Sequence, residues 1–136
     1  MIYVFDSSFI LATIIPDEGT PEIKSLHKKI NENDEKHTSQ LLWYEIANVF
    51  MNLIRRKRYN AEEVSRFFPF LAGVNLLTDF ASGTNYTKKL WNLCIECNLS
   101  SYDAAYLELA ERKRAVFCTM DDNLRAIAKK RGLEVI

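Results

Sequence analysis

Residues 2–15 read IYVFDSSFILATII, and the change of rhythm at Asp6 decides the fold. Ile2–Phe5 is a continuous apolar run of the length expected for a buried strand. Residues 7–15 read as a short helix, stopped at Pro16. A short buried strand that passes directly into a helix is the repeating unit of a parallel sheet.

The unit recurs along the chain. Glu22–Ile30 is amphipathic, with Ile23, Leu26 and Ile30 on one side, and His37 and Thr38 read as a very short strand. A long helix is expected from about Gln40 to Lys57, capped by Thr38 or Ser39. Its stretch 41–50, LLWYEIANVF, is apolar on nearly every face, which predicts a buried helix. Further helices are expected over Ala61–Phe70, Thr84–Cys97, Tyr102–Arg112 and Asn123–Lys130, and strands over Val74–Thr78, Ala115–Thr119 and Leu133–Ile136. The alternation predicts an α/β fold, a three-layer α/β/α arrangement with a central twisted parallel sheet. The length of 136 residues, with no linker or repeat, fits a single domain over 1–136.

The totals exclude several classes. Lys+Arg and Asp+Glu both number 18, so no global charge draws the chain to nucleic acid, and any such binding needs a local patch. Three cysteines, no leader-like N-terminus and no apolar run of membrane-spanning length predict a cytoplasmic protein with reduced thiols. Cys94 and Cys97 form a C-x-x-C inside a predicted helix, with no second pair to complete a zinc site. Cys118 reads as a core strand residue, and His27 and His37 as surface or loop residues without ligand spacing. There is no glycine-rich phosphate loop.

Four acids stand out. In open parallel sheets ligands bind outside the carboxyl ends of the strands. Asp6 follows the first strand, and Asp121 lies just past the strand ending near Thr119. Asp103 opens a helix after Ser100, and Glu45 lies inside the apolar helix. Helix capping accounts for Asp6, Asp103 and Asp121 taken singly. Asp122 reads as a first-turn acid favoured by the helix dipole. Glu45 lies too deep in its helix to cap it, which leaves a buried salt bridge or a site for a cation. Several carboxylates in one pocket repel each other unless a cation joins them. Mg²⁺ takes oxygen ligands, keeps waters, and supports phosphodiester hydrolysis.

The segments VFDSS (4–8), LLWYEIANVF (41–50), SSYDAAYLELA (100–110) and TMDDNL (119–124) together resemble the four motifs of the PIN domain family, with VapC-type toxins of toxin–antitoxin pairs the nearest likeness. The most specific is S-x-Y-D-A-x-Y-x-x-L-A. The resemblance covers nearly the whole chain in order and spacing. It implies a PIN-like fold and an endoribonuclease dependent on Mg²⁺ or Mn²⁺. Asp6, Glu45 and Asp103 match the family's core acids and Asp121 the less constant fourth. Ser7 and Thr119 match supporting hydroxyl positions. Asn48, one helical turn beyond Glu45, reads either as a supporting ligand or as part of the helix packing.

As partners, the resemblance implies an RNA substrate, an antitoxin protein laid across the site, and a homodimer. The basic runs 55–58, 112–114 and 129–131 are candidate RNA grips, although each also suits a helix C-terminus. Phe67-Phe68-Pro69-Phe70 reads as core, dimer surface or antitoxin groove. Three alternatives stand beside the toxin reading: a PIN ribonuclease of RNA processing without an antitoxin, a non-catalytic PIN-like module that binds RNA or protein, and an aspartyl-phosphate enzyme with Asp6 as nucleophile, which would want an acid where Ser8 stands and a lysine near the pocket.

Overall fold

The computed structural model describes all residues, 1–136. Strands β1 (Ile2–Phe5), β2 (Glu35–Ser39), β3 (Leu77–Asp79) and β4 (Val116–Cys118) form one sheet in the order β3-β2-β1-β4. Every pairing is parallel, with Ile2 opposite Glu35, Phe5 opposite Cys118 and Ser39 opposite Asp79. The chain builds outward from β1 to β3 and then returns to add β4 on the other side of β1. The strand order therefore reverses between β1 and β4, and the carboxyl edge there is where ligands bind in sheets of this kind.

The helices are α1 (Ser7–Ile14), α2 (Pro21–Lys29), α3 (Leu41–Arg55), α4 (Ala61–Ser65), α5 (Phe67–Gly73), α6 (Thr84–Cys97), α7 (Ser101–Lys113) and α8 (Asp122–Lys130). α7 lies against β1 and β2 with α6 packed on it, while α1 gathers α2, α3 and α5. Helix α7 is buried from Ala104 to Ala110 without a break. In the core, Phe5 stacks on Phe9 with ring centroids 5.2 Å apart. These two rings bracket Asp6 in sequence, so core packing worth about 1.5–3 kcal/mol per buried ring fixes the turn that carries it.

The long helix departs from the expectation of burial on every face. Leu42, Ile46, Phe50 and Leu53 are buried, but Trp43, Tyr44 and Met51 face solvent. The pattern is amphipathic after all, with aromatic rather than charged residues on the wet face. The expected helix over 61–70 is two helices. Pro69 has no N–H for the Ser65 carbonyl, and its ring would collide with it, so the chain breaks at Arg66. The third strand starts later than expected, because Val74 closes α5 and Asn75 turns the chain at φ 56°. The last expected strand is reduced to one bridge, Val135 to Phe117. His37 is buried within β2, its Nε2 2.9 Å from Glu35 Oε2, and His27 is half-buried beside Phe5. Both differ from the expected surface placement. No helix is long and apolar enough to cross a membrane.

Candidate active site

Asp6 leaves the end of β1 as the N-cap of α1, its Oδ1 accepting the Phe9 N–H at 2.9 Å. Capping is thus real, and it uses only part of the carboxylate. Ser8 Oγ donates to the same oxygen at 2.7 Å, and Thr119 Oγ1 donates to Oδ2 at 2.5 Å. Asp6 is only 4% exposed, and no Lys or Arg pairs with it. Burial pushes its pKa up to about 6 and the nearby Glu45 charge adds to this, while the Ser8, Thr119 and Phe9 donors pull it back.

Glu45 is half-buried on the second turn of α3. It has no basic partner either, so the buried salt bridge is not what holds it. Ser7 Oγ donates to Oε2 at 2.5 Å and Tyr106 OH to Oε1 at 3.0 Å. The Tyr106 hydroxyl is held firmly protonated, first by burial and then by the Glu45 charge. Phenol and hydroxyl therefore act as fixed donors to a carboxylate carried by a third element.

Asp103 sits at the third position of α7, its N–H given to Ser100 Oγ at 3.2 Å. Half the expected capping box forms, since the Ser100 N–H does not return a bond to the Asp103 carboxylate. Burial raises its pKa, hydrogen bonding with the Ser100 hydroxyl pulls it back, and the Asp121 charge adds to the rise. Asp121 is the N-cap of α8, with Oδ1 accepting the Leu124 N–H at 2.8 Å. Its own N–H reaches Thr119 Oγ1 at 3.1 Å. Thr119 thus joins Asp6 to Asp121 through one hydroxyl. Asp121 and Asp122 are both exposed, and only Asp121 is tied to Thr119. Asn48 is exposed and makes no side-chain hydrogen bond, so helix packing does not hold it.

The expected acids therefore gather at the carboxyl edge, electrostatically coupled as Asp6 with Glu45 and Asp103 with Asp121. They are not a closed chelate, because no three such side chains already stand in ligating geometry. The donor set suits a hard cation that keeps much of its water. All four expected residues are carboxylates, and every hydrogen-bond partner they have is neutral. The three expected basic runs lie elsewhere. They end α3, α7 and α8, helices that begin near the acids, so they sit about 12–15 Å along each axis from Glu45, Asp103 and Asp121. Cavities of about 660 and 440 Å³ lie away from the acids, the larger beside Met1, Val116 and Leu133.

Sequence reading missed Ser8, Tyr106 and Arg125. Tyr106 was open to detection, because it follows Asp103 at the i,i+3 spacing and so shares a helix face with it. Ser8 was open through the Asp-x-Ser spacing that closes a local turn. Arg125, whose Nη2 donates to the Thr119 carbonyl at 2.6 Å, follows Asp121 by one turn.

The family model for the PIN domain matches residues 3–130. The chain belongs to the PIN domain family. It is 28% identical over 124 residues to Ribonuclease VapC3 of Pyrobaculum aerophilum, spanning 91% of this chain and 92% of that protein. Among solved structures it is similar to VapBC2 from Rickettsia felis, bound to a DNA fragment from their promoter. The TM-score is 0.71 at 14% identity, over 100% of this chain and 98% of that one. It also resembles Mycobacterium tuberculosis VapC20, a sarcin-ricin loop cleaving toxin. There the TM-score is 0.66 at 16% identity, over 93% of this chain and 95% of that one. At these identities the structural likeness is one of fold, that of PIN domains.

Proposed function

We propose that the chain is an endoribonuclease dependent on Mg²⁺ or Mn²⁺, and that it is the toxin of a VapBC-type toxin–antitoxin pair. The observation that carries this reading is the treatment of Asp6. A carboxylate buried at the reversal point of a parallel sheet is held by neutral donors, with Glu45 beside it and Asp121 linked to it through Thr119, and with no cation of the protein's own to offset it. The likeness to Ribonuclease VapC3 over nearly the full length supports the choice of RNA.

Asp6, Asp103 and Asp121, with Glu45, are the residues that would hold the cation, with Asn48 beside Glu45 in reserve. When bound, the ion supplies charge to stabilise the phosphorane-like transition state and lowers the pKa of water. The protein's own residues supply position. Ser8 and Thr119 fix both oxygens of Asp6, and Ser7 with Tyr106 fixes both oxygens of Glu45. Glu45 is then set to orient, or accept a proton from, an attacking water. The exposed Trp43, Tyr44, Phe68, Phe70 and Phe80 offer apolar surface for a second copy and for an antitoxin. Such an enzyme would work in the cytoplasm, where an antitoxin restrains it.

The test is incubation of purified protein with total cellular RNA in Mg²⁺, in Mn²⁺ and in chelator. Asp6→Asn and Glu45→Gln run alongside, matched for folding by circular dichroism. Discrete metal-dependent products that vanish in both variants are expected. A folded, antitoxin-free protein that cleaves nothing, and whose melting temperature ignores divalent cations, overturns the reading in favour of a binding module.

A further inference from the structure

RNA brings negative charge to an edge of the molecule that already carries four acids. The segments bearing those acids, residues 1–23, 37–54, 98–111 and 115–124, contain no Lys or Arg. The dense basic runs end their helices at the far side, and three of their six arginines are engaged, while Arg55, Arg56 and Arg114 make no ion pair. Arg58 holds Asp17 and Glu18, Arg112 holds Asp79 and Glu108, and Arg131 holds Glu96 and Glu111.

Arg125 differs in its place and in its anchor. It lies in the first turns of α8, one turn past Asp121, on the acid side of its helix. It is half-buried and has no carboxylate within ion-pair distance. One nitrogen, Nη2, is anchored on the Thr119 carbonyl at 2.6 Å. Thr119 in turn donates its hydroxyl to Asp6 and receives the Asp121 N–H. The guanidinium is therefore indexed to two of the acids through a single buried residue, with Nη1 and Nε still unspent. The Cys118 thiol next to Asp6 feels both the Asp6 charge and, in the opposite sense, the Arg125 charge, which places the cation close to the same strand end.

A planar guanidinium held by one N–H on a carbonyl presents its remaining donors to an anion at little further cost in side-chain entropy. We propose that Arg125 is a phosphate-binding residue of this site, contacting an RNA phosphodiester brought to the acids. The inference rests on the ribonuclease reading and adds a substrate contact to it. It also gives Thr119 a second task, that of setting the distance between the phosphate-binding cation and Asp6.

Steady-state cleavage of a defined single-stranded RNA oligonucleotide by the full chain tests this. The variants are Arg125→Ala, Arg125→Lys and, as a far-edge control, Lys129→Ala, each across a salt series. Arg125→Ala is expected to lower kcat/KM by about 10- to 100-fold, the range for a charge-assisted hydrogen bond. Its slope of log(kcat/KM) against log salt should flatten by about 0.7, one single-strand phosphate contact. Arg125→Lys should keep the slope and recover part of the rate, and Lys129→Ala should change the rate little. A folded Arg125→Ala with unchanged rate and slope overturns the proposal. So does equal loss in the Ala and Lys variants with an unchanged slope and a lowered melting temperature, which would make Arg125 a structural clamp on Thr119. If the unmodified chain cleaves no RNA, the ribonuclease reading falls and this one with it; if it cleaves and Arg125 is silent, only this one falls.

Discussion

Asp6 and Glu108 are almost equally buried, at 4% and 5% exposure, and the protein treats them in opposite ways. Glu108 is met by Arg112, whose Nε lies 2.9 Å from Oε1 and whose Nη2 lies 3.2 Å from Oε2, with Lys89 at 3.9 Å. The same guanidinium grips Asp79 at 3.0 and 2.7 Å and holds its carboxyl below the usual range. Asp6 receives hydroxyls and a backbone N–H but no cation, and its pKa rises. A buried carboxylate that needs only to be tolerated is paired internally. One left with neutral donors, beside a further acid, fits the proposed reading of a site for a cation that arrives from outside.

The largest effects should separate the two regions by what they damage. Asp6→Asn removes the charge but keeps the shape. It should cost about a thousandfold or more in RNA cleavage while melting no lower than the unaltered chain at pH 7 in chelator. Arg112→Ala should do the reverse. It strands Glu108 and should cost about 2–3 kcal/mol in urea unfolding, discounted for the partly exposed guanidinium. Cleavage well below its lowered midpoint should change little. Adding Glu108→Gln to Arg112→Ala should return part of the stability, because no charge is then left unpaired. If Arg112→Ala instead abolished cleavage at full stability, the Arg112 cluster would belong to the site and the contrast would be broken.

The pH dependence is the next test. The folded-state pKa of Asp6 lies near 6 and its ordinary value is 3.8. The unfolded chain releases this proton at lower pH than the folded one. The contribution of Asp6 to stability is thus fully present below about pH 4 and lost as pH rises through 6. With divalent cations chelated, the chain should lose at most about 3 kcal/mol across that window relative to Asp6→Asn. Added Mg²⁺ should flatten the difference, because it stabilises the ionised form. A curve parallel to that of Asp6→Asn from pH 4 to 7 would mean that Asp6 ionises as freely in the fold as out of it.

The contrast was half legible in the sequence. Asp6, Asp103 and Asp121 stand at strand ends or helix starts, where local pattern fixes position, and Glu45 stood out as a charge in an apolar run. Glu108 also lies in a mostly apolar stretch, YLELA, with its partner Arg112 one turn on, while the Asp79 that shares this guanidinium is brought in by tertiary packing that local spacing does not reveal. The salt bridge weighed for Glu45 exists in this protein, but at Glu108. Trp43 and Tyr44 misled for a related reason. Hydropathy reads an aromatic as buried, whereas Trp43 sits at the surface with its indole N–H on Thr78 Oγ1 at 2.9 Å. The break at Pro69 was legible and passed over, since its missing donor falls four residues after Ser65.

The smallest effect bears on the finest part of the contrast, whether neutral donors position Glu45 or merely accompany it. Tyr106→Phe deletes one hydroxyl from a ring that is otherwise core. Glu45 is half-exposed, so water can replace the lost donor, and the stability loss should stay near or below about 1 kcal/mol. The effect on cleavage should be larger in proportion, about three- to tenfold and in kcat rather than KM, because a carboxylate loosened at one oxygen spends less time in a productive orientation. Ser7→Ala should act in the same direction. The double variant should lose more than the product of the two, since either donor alone still restricts the carboxylate and neither remains. Additive losses would mean that each hydroxyl acts on its own, and an unchanged kcat in all three would leave Asp6 as the one acid whose neutral surroundings matter.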